Sequence, residues 1–150
     1  MTDCIFCKIV AGELECSEVY ADDEFLAFMD IHPVGPGHVL IVPRRHAQYV
    51  AELPHGAAER LFGLGTRIAE AIRHSELPCD ALHFLLNDGR AANQTVPHAH
   101  LHLIPRRRGD GGRVLTQILK RPLVGLLRPT PRADLDADAK AIMAKLEAPG

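Results

Sequence analysis

No stretch of this 150-residue chain approaches the run of about 18 apolar residues that marks a membrane-spanning helix. The amino terminus also lacks a basic region followed by a long apolar one, so no secretory signal is read there and a cytoplasmic protein is expected. Long basic runs are missing too. With 17 Lys and Arg against 19 Asp and Glu, the chain carries a net charge of −2 and offers no obvious groove for nucleic acid. Arg106, Arg107, Arg108 and Arg113 do cluster, and are read as a solvated loop. Cysteine is sparse: four thiols in a reducing compartment argue for free thiols or metal ligation rather than a disulfide framework. Internal repeats and low-complexity tracts are absent. What remains is 47% hydrophobic, ordinary for a soluble core, and its length suits one compact domain over residues 1–150.

The chain itself alternates turn formers with short apolar runs. Residues 17–20 and 25–29 read as a hairpin around Ala21, Asp22, Asp23 and Glu24, and residues 38–42 as a third strand. Pro33, Gly35, Pro36 and Gly37 punctuate the loop between. From Ala57 to His74, Leu61, Leu64, Ile68 and Ile72 recur three or four apart, the pattern of an amphipathic helix lying on a sheet. Gly63 and Gly65 each weaken that helix by about 1 kcal/mol relative to Ala, so close packing is expected to compensate. Residues 82–87 and 98–104 read as strands four and five, joined by a loop over residues 88–93. Residues 107–132 form an irregular arm, with a short helix or strand over 114–119. A last helix follows over residues 134–147. The sheet is expected to be antiparallel.

The most informative segment is Gln94-Thr95-Val96-Pro97-His98-Ala99-His100-Leu101-His102-Leu103-Ile104-Pro105-Arg106. Three histidines stand at every second position with apolar residues between, the period of a half-buried strand. On an extended backbone, residues two apart share one face, so the imidazoles of His98, His100 and His102 would gather toward one cleft. Such a row suits catalysis by groups that titrate near neutrality, but it also suits a metal site.

Further motifs lie upstream: Cys4-Ile5-Phe6-Cys7-Lys8-Ile9 with Gly12-Glu13, then Phe28-Met29-Asp30-Ile31-His32-Pro33, then Pro36-Gly37-His38-Val39-Leu40-Ile41-Val42-Pro43 with Arg45-His46, and finally Asn87-Asp88-Gly89. In this order and spacing, from about Cys4 to Asp110, the chain strongly resembles the histidine triad (HIT) family of nucleotide hydrolases and transferases. One departure is visible, because the family usually carries Gly before the Gln of the triad loop and this chain has Asn93.

The resemblance implies an α+β fold: a five-stranded antiparallel sheet with one long helix packed on it and a C-terminal helix, residues 107–150 forming the arm and that helix. A homodimer is implied through the long helix and sheet edge. His100 takes the part of the nucleophile that forms a nucleotidyl-imidazole, His102 donates to phosphate oxygens, and His98 and His38 orient the set. Asn87, Gln94 and Thr95 assist at the phosphate, Asp30 accepts from the ribose hydroxyls, and Ile31 walls the base. Asp30 has a plainer reading, as a strand-ending carboxylate that caps a turn. The activity implied is cleavage of a purine nucleoside phosphoramidate, an adenylate or a dinucleoside polyphosphate. The chain has no Trp, hence no Trp-bearing tail of the kind some phosphoramidase relatives have.

Cys4 and Cys7 can meet one tetrahedral ion only with two further ligands. Zinc-bearing bacterial relatives imply His46 and His98, and a structural zinc. Zinc on His98 would leave protonation of the leaving group to another group or to water. A redox C-x-x-C is the competing reading. No organic cofactor is expected. Two other functions stay open: a nucleotide-binding regulator or scaffold with little turnover, and a metal protein in which the three triad histidines hold the ion. His32, His55, His74 and His83 are given no role.

Overall fold

A computed structural model describes residues 3–120, 123 and 126–147. Five strands, β1 (Glu18–Ala21), β2 (Phe25–Met29), β3 (Val39–Pro43), β4 (Ala81–Leu86) and β5 (Leu101–Arg106), form one sheet in the order β1-β2-β3-β5-β4. Every pairing is antiparallel. Among the described residues, four α-helices accompany it: α1 (Ile5–Val10), α2 (Ala57–His74), α3 (Gly111–Lys120) and α4 (Arg132–Leu146). The expected α+β architecture is therefore present, and α2 has the ends that its apolar spacing predicts.

Side chains alternate across the sheet, so its two faces have different partners. Phe25, Ala27, Met29, Val39, Ile41, Leu101 and Leu103 pack with Leu61, Leu64, Ile68 and Ile72 of α2 and with Leu135, Ala139 and Ile142 of α4. Each Val, Leu, Ile, Met or Phe side chain among them contributes roughly 1.5–3 kcal/mol when removed from water. Gly65 permits the close approach, since a Cβ there would meet Leu101 Cδ2 at 2.8 Å. The same compensation does not extend to Gly63, around which a Cβ would meet nothing within 4 Å.

The opposite face is covered at two separate places. Leu26, Phe28, Leu40 and Val42 pack with Cys4 and Phe6 at α1, and Ile104 packs with Val34 and with Val114 of α3. His102, paired with Leu40 on β3 and Leu85 on β4, stands on that face between the two covers. The strands β2, β3 and most of β5 are thus buried on both faces, whereas the alternation in the triad segment predicts a half-buried strand there.

Three differences from the sequence reading matter for function. First, α1 was not anticipated; Cys4 is its extended N-cap residue, and no side chain caps the helix. Second, β5 begins at Leu101, not at residue 98, because the chain bends over residues 96–98, where the His98 N–H donates back to the Val96 carbonyl at 2.8 Å. Third, the arm holds a ten-residue helix, α3, over Gly111–Lys120. Arg106 pins its start through Asp110, whose carboxyl it holds down at about 2. Residues 121, 122, 124 and 125 of the arm lie outside the described residues.

Candidate active site

The bend before β5 sends the three triad histidines to different partners, and those partners fix where each proton sits. His100 Nδ1 lies 2.7 Å from the His98 carbonyl oxygen, which can only accept. The Nδ1 of His100 must therefore carry the proton, and the neutral ring bears its lone pair on Nε2. A second chain of bonds starts at the Val34 N–H, which donates to His38 Nδ1 at 3.0 Å. That leaves the His38 proton on Nε2, 3.0 Å from His102 Nδ1 and 3.6 Å from Asp30 Oδ2. With Nδ1 of His102 as acceptor, the proton of His102 stands on Nε2, on the opposite edge of its ring. The His100 and His102 rings are 4.8 Å apart between centroids. One ring thus offers a nucleophilic nitrogen and its neighbour an N–H donor.

His98 does not join them at the cleft, contrary to the expectation of three imidazoles sharing one face. Its Nε2 donates to the Pro43 carbonyl at 2.8 Å, so its lone pair is on Nδ1, which faces Cys4 Sγ at 3.4 Å and Cys7 Sγ at 3.6 Å. Cys7 Sγ is also 3.2 Å from His46 Nδ1. Sulfur and nitrogen ligands of one tetrahedral zinc stand about 3.5 Å apart, given usual bond lengths, and this cluster has those spacings. All four ligand atoms lie within 4.8 Å of one another. Burial and the neighbouring Cys4 push the Cys7 thiol above its ordinary value, and burial pulls His98 below its own. A divalent cation would favour the thiolate and use the neutral imidazole. These residues fit zinc.

The cleft beside His100 and His102 is a cavity of about 600 Å³, lined by Ile5, Phe6, Ile9, Phe28, Ile31 and Leu40 with Asp30 at its wall. Its size and apolar walls suit a small organic ligand. Phe6 packs its ring against both His98 and His100, at 5.9 and 5.1 Å between centroids, so α1 packs against the Cys/His cluster and His100 together. Asp30 does cap a turn: Oδ1 accepts from the His32 N–H at 2.8 Å. Its other oxygen, Oδ2, is the one 3.6 Å from His38 Nε2.

Glu15, Cys16 and Arg132 also line this cavity and were missed. Arg132 arrives on α4, donating to Ser17 Oγ at 3.0 Å and to the Glu15 carbonyl at 3.4 Å. No local motif announces it, because the contact spans more than a hundred residues.

The remaining expected residues occupy the loop between β4 and β5. Gln94 spends both ends of its amide on bracing: Oε1 accepts from the Gly89 N–H at 2.8 Å and Nε2 donates to the Gln48 carbonyl at 2.9 Å. It shapes the loop. Asn93, where the family pattern carries Gly, takes φ of 64° and ψ of 30°, a left-handed conformation that Asn tolerates. Asn87 donates to the Asn93 carbonyl at 3.4 Å and faces a second cavity instead of the first. Thr95 lines both cavities, as does His102.

Comparison with known proteins gives the same picture. An uncharacterized HIT-like protein of Mycobacterium tuberculosis is 46% identical over 107 residues, 71% of this chain and 74% of that protein. An adenosine 5′-monophosphoramidase of Schizosaccharomyces pombe is 36% identical over 109 residues, covering 73% of this chain and 78% of that one. The crystal structure of a zinc-bound histidine triad family protein from Mycobacterium smegmatis superposes with a TM-score of 0.79 at 34% identity, covering 97% of this chain and 94% of its own. The HIT domain pattern itself matches residues 11–109. With its motifs in register and its fold shared, this chain belongs to the HIT family.

Proposed function

We propose that the protein is a nucleotide hydrolase or nucleotidyl transferase that cleaves a purine nucleoside 5′-phosphoramidate, adenylate or dinucleoside polyphosphate through a nucleotidyl-His100 intermediate. The observation that carries this reading is the 2.7 Å bond from His100 Nδ1 to the His98 carbonyl, which directs the lone pair of a neutral ring to Nε2. The nucleoside takes the apolar cavity, its base along Ile31 and its ribose at Asp30. His102 Nε2–H and Thr95 donate to the phosphoryl oxygens, where charge builds in the transition state. Val34, His38 and Asp30 hold the tautomer of His102 through the bonds described above. Gln94 and Asn87 fix the loop that carries Thr95. The relative named for adenosine monophosphoramidase activity supports this class of substrate.

Cys4, Cys7, His46 and His98 would hold a structural zinc. Bound there, the ion would cross-link α1 to the bend before β5. His98, as its ligand, then acts on His100 through its backbone carbonyl and not as a proton carrier. We also read the protein as a homodimer: β4 has an open edge, Phe84 and Leu85 on it are each 39% exposed, and Phe62 on α2 is 43% exposed. A cytoplasmic setting accords with four cysteines that form no disulfide. No described helix is long and apolar enough to cross a membrane.

The test is intact mass measurement of enzyme quenched during turnover of adenosine phosphoramidate, with peptide mapping of the adduct. A nucleotidyl group on His100 is the expected result. Binding of the nucleotide with no adduct and no turnover would favour a regulatory protein instead.

A further inference from the structure

A nucleotide laid in the first cavity with its phosphate at His100 and His102, as proposed above, has the place of its base set by the order of the strands. β5 is separated from β1 by β3 and β2, about 14 Å at the usual spacing between strands. Asp30, just past the end of β2, stands between them, and the Met29 N–H next to it donates to the Ser17 carbonyl at 3.0 Å, just before β1. Phosphate, ribose and base therefore run from the histidines past Asp30 toward residues 15–17. Glu15, Cys16 and Arg132 line the cavity at that end, and Glu13 lines it as well.

Arg132 is held in place there by a buried hydroxyl. Ser17, 2% exposed, donates from Oγ to Asp136 Oδ1 at 2.6 Å, and the same oxygen accepts from Arg132 Nη1 at 3.0 Å. Arg132 Nη2 donates to the Glu15 carbonyl at 3.4 Å. Arg132 and Asp136 stand one turn apart on α4, so Ser17 ties both to the strand. A guanidinium has five N–H donors, and three of them remain unspent by these bonds. Arg132, Glu13 and Glu15 enter none of the ion pairs among the described residues. Cys16 adds little, because burial raises its thiol and a neutral thiol is a weak partner.

We infer that Arg132 and Glu15 read the edge of the base, and that the favoured nucleotide carries guanine. Guanine presents two acceptors side by side, N7 and O6, where adenine presents N7 and the donor N6 amino group. A guanidinium only donates, so it forks onto guanine and meets adenine donor to donor. Next to O6, guanine turns outward the N1–H and the 2-amino group, two donors that a carboxylate accepts. Adenine has a bare N1 at that place, which a carboxylate repels. Cation and carboxylate thus favour the same base. The HIT pattern matches residues 11–109, so Arg132 adds a feature that the shared domain does not carry.

Calorimetric titration with GMP, IMP and AMP tests the assignment. The wild type is expected to bind GMP about tenfold or more tighter than AMP, with IMP, which has N7 and O6 but no 2-amino group, in between. Arg132→Gln should weaken GMP and IMP by about tenfold and AMP little, whereas Glu15→Gln should weaken GMP more than IMP. Arg132→Lys keeps the charge and loses the fork, and should also lower the preference for GMP. Together with Glu15→Gln it decides the matter if Arg132→Gln does not fold. Equal affinity of the wild type for GMP and AMP overturns the assignment, and so does a loss on Arg132→Gln shared equally by all three nucleotides, as stacking on the base would give. The placement of the base rests on the function proposed above, so the adduct at His100 is measured with guanosine and adenosine phosphoramidates in parallel. Equal adduct from both leaves the proposed function standing without the base preference, and guanine-selective binding with no adduct does the reverse.

Discussion

The two faces of the sheet follow different rules. On the helix side, eight strand residues, Val19 of β1 among them, and the stripe of α2 make a continuous apolar layer whose identity matters less than its volume. On the other side the layer is interrupted: α1 covers one end, α3 the other, and the gap between holds Asp30, His38, His100 and His102, all buried or nearly so. The helix side supplies the stability on which a cluster of desolvated polar groups depends. The gap holds groups that burial would penalise unless each had a partner, and the histidine chain supplies those partners. Stability and chemistry are therefore separable by face, and substitutions can show it.

The largest expected effect comes from the open face. His100→Gly should lower turnover by about 10³-fold or more while a nucleoside monophosphate still binds and the melting temperature changes little. Loss of folding together with binding would break the separation. On the helix face the converse holds: Gly65→Ala forces a Cβ to within 2.8 Å of Leu101 and should cost about 1–3 kcal/mol of stability, read by denaturant unfolding. Two residues earlier, Gly63→Ala meets open space and should stabilise by up to about 1 kcal/mol. Equal effects at the two glycines would contradict the packing described here. Smaller in its effect on turnover is the pair Cys4→Ser with Cys7→Ser, which removes both sulfur ligands and leaves His100 in place. Bound zinc and thermal stability should fall, and activity by about tenfold, because His98 is then held less firmly where it accepts from His100. Metal content equal to that of the wild type would reject the site.

The helix face was legible in the sequence because its rule is periodic. Leu61, Leu64, Ile68 and Ile72 announced α2 with its correct ends, and the hairpin turn at Asp22 announced β1 and β2. The open face was only partly legible. The triad residues were named, but their alternation suggested one row of imidazoles, whereas Val96 and Pro97 turn the chain and send His98 to the cysteines. Periodicity carries no information about a bend whose bonds close over two residues. The helix at Cys4 was invisible for a similar reason: six residues are too few to show a repeat. Arg132 reaches the first cavity and Leu119 the second through tertiary packing, which no local pattern encodes.

The central claim is that neighbouring imidazoles are held as different tautomers: His98 and His102 with the proton on Nε2, His100 with it on Nδ1. Long-range proton–nitrogen correlation spectra of histidine-labelled protein, recorded where the rings are neutral, read those positions directly. The account predicts a protonated Nδ1 for His100 and a protonated Nε2 for the other two. A protonated Nε2 on His100 would contradict it, since that nitrogen could not then attack phosphorus.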